Sequence, residues 1–223
     1  MRFATAVLAA GVFLAGCRSG ELGMDVKGPL AFEEIKKGDK AVEAGDLDTA
    51  IKHYEKALEL APAAPRWRFA YAQLLYWKGL SYSQESHHKW QQTMGNTFDF
   101  EMGKWTKLGH GLSQEEKKGL LEKSAQEKRQ SVIYFNKALK QLMICDHDMN
   151  YAFEAVPFAM GIIYVFLEDH DKAIVSFERI LASSRVSEDY RQKVAKAVDQ
   201  IKKYKQEQEL EKKPYPGIET PAP

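Results

Sequence analysis

Residues 31–64 read AFEEIKKGDKAVEAGDLDTAIKHYEKALELAPAA. Phe32, Ile35, Gly38 and Ala41-Val42 recur at three- and four-residue intervals, and Leu47, Ala50-Ile51, Tyr54 and Ala57-Leu58 do so again. That period puts each set on one face of a helix. Gly45-Asp46 lies between them as a turn. Pro62 ends the second helix, because its ring removes a donor and clashes with the preceding turn. The stretch predicts two antiparallel helices. Gly38 and Ala50 stand where the two touch most closely, and Tyr54 is expected to fill the gap toward the next unit.

The pattern returns. Gly161 stands to Ala173 as Gly38 stands to Ala50, and Tyr164 and Phe177 keep the remaining offsets. Pro157 falls in the first turn of that copy, where a missing N–H costs nothing. Gly119, Ser131, Phe135 and Ala138 repeat the offsets a third time. These residues resemble the tetratricopeptide repeat, a helix–turn–helix unit of about 34 residues. The resemblance implies an all-α solenoid of antiparallel helix pairs over residues 31–213, and period arithmetic divides it into four units: 31–64, 65–111, 112–153 and 154–187. The second unit has a convincing first helix (Trp67, Tyr71, Leu74-Leu75) and a weak second one. The third has no turn residue between Leu120 and Cys145, so a hairpin and a single helix both remain open there. Ser113 and Glu116 form a capping-box pattern at its start. From Ser187, the residues Tyr190, Val194, Ala197-Val198 and Ile201 predict a C-terminal helix with a polar outer side, as a solenoid cap needs. Residues 214–223 are Pro-rich and read as a disordered tail.

The N-terminus carries a different signal. Arg2 precedes a stretch from Ala4 to Gly16 that ends in Leu14-Ala15-Gly16-Cys17. That stretch is too short to cross a ~30 Å hydrocarbon core, which takes roughly 20 residues. The layout is that of a secretory signal peptide, residues 1–16. Its ending resembles the lipobox of bacterial lipoproteins. The resemblance implies cleavage before Cys17, acylation of the Cys17 thiol and amine, and a lipid-anchored protein of the cell envelope. Arg18 in place of Asp favours the periplasmic face of the outer membrane. Multiple acyl chains give stable anchoring where one gives marginal binding. Residues 17–30 read as a flexible tether, short enough to hold the domain near the membrane surface.

Composition closes off other classes. The formal net charge is +1, and removal of Arg2 with the signal takes it to zero, so no basic field points to nucleic acid. With Cys17 acylated, Cys145 is the remaining thiol and no disulfide framework forms. No phosphate-binding Gly loop, nucleophile elbow or His-Glu-x-x-His occurs, and the chain reads as no enzyme with no cofactor. His87-His88, His110 and Cys145-Asp146-His147-Asp148 lack the paired spacing of a metal site; Asp146 and Asp148 read instead as an interhelix turn.

In the repeat family the first helix of each unit faces a groove that takes peptides or partner helices. Carried over, the groove residues are Phe32, Ile35, Asp39 and Val42, then Arg66, Phe69, Gln73, Tyr76 and Trp77, then Phe158, Ile162, Val165 and Phe166. The middle set is the expected partner-binding site, since Trp, Tyr and Arg dominate interface hot spots. Core packing is the competing use of these aromatics. The implied function is an adaptor or assembly factor that binds an envelope protein. The alternative is a small-ligand lipoprotein whose aromatic pocket is closed by the insertion at residues 84–112.

Overall fold

The computed structural model describes residues 28–94, 97–99, 104–106, 112–149 and 153–211. The proposed signal peptide, Cys17, His110 and the C-terminal tail lie outside the described residues. Seven helices are described: α1 (Gly28–Glu43), α2 (Leu47–Leu60), α3 (Pro65–Met94), α4 (Gln114–Asp148), α5 (Ala155–Phe166), α6 (His170–Leu181) and α7 (Glu188–Glu211). They form three antiparallel pairs, α1/α2, α3/α4 and α5/α6, stacked in chain order with α7 packed on α6. Two short strands, β1 (Thr97–Asp99) and β2 (Lys104–Thr106), join α3 to α4 as an antiparallel hairpin with Phe98 opposite Trp105. No helix among the described residues is long and apolar enough to cross a membrane.

One device closes each pair. A Cβ on Gly38 would meet the Tyr54 ring at 2.6 Å, and one on Gly161 would meet the Phe177 ring at 2.7 Å. The aromatic therefore fills the space its own unit's glycine leaves, rather than the gap toward the next unit. The Tyr54 hydroxyl donates to Asp39 at 2.5 Å. In the middle pair the partner of Phe135 is Gly79, whose Cβ would lie 2.8 Å from that ring. Gly119, the glycine that spacing picked out, has nothing within 4 Å of its Cβ position.

The expected four units are therefore three. Gly38 to Tyr54 and Gly161 to Phe177 span the same length of chain, whereas Gly79 to Phe135 spans far more. The extra chain sits between the two contacts of a single hairpin. Residues 114–148 form one helix, its start fixed by the Ser113–Glu116 capping box. Residues 84–94 continue α3 instead of forming an irregular insertion. The first helix also starts earlier than expected, at Gly28, inside the predicted tether.

As a result, the middle hairpin projects. α3 runs from Gly79 on to Met94, whereas α1 and α5 end little more than one turn past their own glycines, at Glu43 and Phe166. At 1.5 Å per residue the projection is about 15 Å on α3, and a longer one on α4. The core of this arm is small and polar. Ser86 Oγ donates to the Ser124 carbonyl and Ser124 Oγ to the Ser86 carbonyl, both at 2.9 Å. Lys89 pairs with Glu127 on one side. Little apolar area holds the arm, so it opens more easily than the body. Amides of 86–94 and 114–123 should exchange with deuterium faster than those of 69–80 and 131–142; equal protection would contradict this reading.

Polar contacts tie the units together. Asp46 and Asp169 cap α2 and α6 by accepting from Thr49 and Lys172 N–H. Asp146 does not sit in an interhelix turn. It is buried in the last turn of α4 and accepts from Arg179 of α6 at 2.8 and 3.0 Å. Arg68 on α3 donates to Gln141 at 2.8 Å and to the Pro62 carbonyl at 2.5 Å. In the first pair, buried Glu34 receives Lys37 at 2.9 Å and contacts His53 at 2.7 Å. These two hydrogen bonds lower its pKa from 4.5 to about 2. A depressed carboxylate contributes stability above its unfolded pKa and loses it as pH falls through the folded value. Thermal melts should thus show a Glu34-dependent loss between about pH 4.5 and 2, and Glu34→Gln should flatten that limb; an unchanged slope would contradict the pairing.

Candidate partner-binding face

Gly79 orients α3, because the side that bears it faces α4. One turn away, Tyr76 lies 6.0 Å from the Phe135 ring and 6.1 Å from Phe166 of α5. Burial alone pushes its phenol up to about 12. Phe69, on the same side, is 4% exposed and meets Phe153 edge-on at 5.1 Å. Both side chains fill the junction between the second and third units.

Trp77 points elsewhere. It is 41% exposed and touches Tyr76 only edge-on, at 5.6 Å between ring centres. Arg66, Gln73, Trp77, Gln84 and His88 follow one another at alternating steps of two turns and one turn, which places them on one stripe of α3. Gln73 is half-buried and the other four are exposed. Gln73 Nε2 is buried with no hydrogen-bond partner among the described residues. The five expected groove residues therefore divide. Arg66, Gln73 and Trp77 share the open stripe, while Phe69 and Tyr76 turn toward the third unit. Gln84 and His88 join the stripe only because α3 continues past its expected end.

The residues expected on the other first helices are mostly taken up by packing. On α1, half-buried Phe32 carries the Lys36 ammonium 4.7 Å over its ring, while Ile35 is buried. On α5, Ile162, Val165 and Phe166 are partly buried against the core, and Phe158 packs 5.7 Å from Tyr190 of α7. Lys36 is also paired with Glu33 at 3.1 Å, and the α5 residues are taken up by packing, so the open stripe is the one on α3.

Among the described residues, Cys145, His87 and His88 each have a partner. The Cys145 thiol donates to the Pro65 carbonyl at 3.3 Å, and burial pushes it up to about 12, far from a ligating thiolate. His87 and His88 bond Gln91 and Gln92 on their own helix. Two concavities, of about 370 and 200 Å³, are lined by residues other than Phe69, Tyr76 and Trp77.

No curated protein matches the chain. Residues 41–80, from the last turn of α1 to just past Gly79, match the tetratricopeptide repeat family. With the glycine–aromatic contact made in all three helix pairs, the chain is an all-α solenoid built of tetratricopeptide-like repeats.

Proposed function

We propose that this protein is a lipid-anchored adaptor of the bacterial envelope that docks a protein partner on the open stripe of α3. The observation that carries the reading is Trp77. Trp77 meets Tyr76 edge-on and leaves 41% of its surface to solvent on the stripe it shares with Arg66 and Gln73, and Trp and Arg are the residue types that dominate interface hot spots. Tetratricopeptide repeats commonly bind proteins, and rigid stacked pairs reduce the entropic cost of docking. The Cys17 anchor holds the stripe near a membrane surface, with the partner an envelope protein and the chemistry one of binding rather than catalysis. The small-ligand alternative, with a pocket closed by residues 84–112, is the less favoured reading: Phe69 and Tyr76 are packed into the unit junction, and the first part of that segment, residues 84–94, continues α3.

Two experiments test the reading. Cys17→Ser should move the protein from the membrane to the soluble fraction and abolish acyl labelling; continued membrane association would overturn the anchor. Trp77→Ala should leave the helical circular-dichroism signal intact and reduce partner capture at least tenfold, since exposed Trp hot spots are worth about 2 kcal/mol or more.

A further inference from the structure

The two ends of the solenoid differ. The last pair is covered by α7, whereas α1 and α2 pack on each other and, through α2, on the second pair. Asp48 and Glu55 mark the side of α2 that faces inward: Asp48 accepts from Lys78 of α3 at 2.8 Å, and Glu55 lies beside Tyr71. At the helical period, His53 stands roughly 150° round α2 from both, so it belongs to the open end.

Glu34 sets what the open end displays. Its carboxylate is buried, accepts from Lys37 at 2.9 Å, contacts His53 at 2.7 Å and lies 3.5 Å from Lys56. One carboxylate held by two ammonium groups leaves positive charge over, and both lysines keep more than half of their side chains in solvent. The exposed Glu33 carboxylate is paired with Lys36 at 3.1 Å. One turn before Glu34 stands Leu30, 62% exposed and the most exposed large apolar side chain among the described residues, with exposed Pro29 beside it. The face is an apolar tip backed by surplus cations.

Chain length says what meets this face. α1 begins at Gly28, eleven residues after Cys17. Fully extended, that separation spans at most about 40 Å. An acylated Cys17 therefore keeps Leu30 within reach of the bilayer at all times. Anionic headgroups attract lysines held near the surface, an apolar side chain adds burial at the headgroup boundary, and a cationic patch supplements a lipid anchor.

We infer that the open end of the first pair docks on the membrane surface, with Leu30 in the headgroup boundary and Lys37 and Lys56 against anionic lipid phosphates. The inference rests on the Cys17 anchor and is independent of the α3 stripe. Docking holds the solenoid in one orientation, where a tether alone would let it tumble.

Fluorescence of the full-length lipidated chain in vesicles tests it. Leu30→Cys takes an environment-sensitive dye, because Cys17 is acylated and the Cys145 thiol is buried. Val175→Cys, at an exposed position of α6, is the control. In vesicles of phosphatidylethanolamine and phosphatidylglycerol, spin-labelled headgroups should quench the dye at 30 at least about fivefold more than the dye at 175. Vesicles of phosphatidylcholine alone should remove most of that difference. Lys37→Gln/Lys56→Gln should do the same with the helical circular-dichroism signal unchanged, and Trp77→Ala should leave the difference intact. Co-flotation with both kinds of vesicle reports the anchor separately, and its absence would sink the anchor and the docking together. Co-flotation with equal quenching at the two positions, with quenching indifferent to lipid charge, or with quenching that rises with protein density and so reports a second copy, would overturn the docking alone.

Discussion

Replacing Gly79 with leucine should destabilise the protein by about 3 kcal/mol, while the same replacement at Gly119 should stabilise it. Both glycines are helical, so both substitutions gain intrinsic propensity worth up to about 1 kcal/mol. Surroundings decide the sign. At Gly79 the first carbon added already lies 2.8 Å from the Phe135 ring and 3.3 Å from the Ser131 carbonyl. The ring cannot withdraw, because Phe135 is buried between Tyr76 and Phe166. At Gly119 nothing lies within 4 Å, and propensity acts alone. Urea titrations of the two variants check this. A destabilised Gly119→Leu together with a tolerated Gly79→Leu would mean that the middle hairpin pairs in the register that sequence spacing suggests.

The second large effect lies at the joint between the second and third units. Arg179→Met should cost about 3 kcal/mol, because it leaves the Asp146 carboxylate buried without its two guanidinium donors. For a chain of this size that is a fall in melting temperature of roughly 6–12 °C. Asp146→Leu/Arg179→Met should recover most of the loss, since an apolar pair needs no desolvated charge. Recovery in the double variant distinguishes an ion-pair effect from loss of packing by the long arginine side chain, in which case the double variant would stay as unstable as the single one.

Fold class was legible because its signals are local. The period of Phe32, Ile35 and Gly38, the Gly45-Asp46 turn and the Ser113–Glu116 cap each act within a few residues, and each is present in the structure. The unit count was not, because it depends on which glycine meets Phe135. Offsets measured along the chain favour Gly119, which stands to Phe135 as Gly38 stands to Tyr54. The contact is made by the much more distant Gly79, once a helical extension and a strand hairpin are set aside. A helix lengthened by whole turns keeps its amphipathic period, so periodicity carries no mark of where the unit ends. The partner-binding stripe was partly legible for the same reason. Arg66, Gln73 and Trp77 stand out by residue type, but their separation from Phe69 and Tyr76 needs the position of α5. Asp146 read as a turn residue because its partner, Arg179, lies far along the chain on another helix.

The most direct test of the adaptor reading is quantitative capture of envelope proteins by the lipidated chain in cells, with wild type compared against Trp77→Ala at equal abundance and equal melting temperature. The account predicts one defined protein recovered by wild type and reduced at least tenfold by the substitution. Equal recovery by the two would contradict it, because the exposed indole on α3 would then have no part in binding.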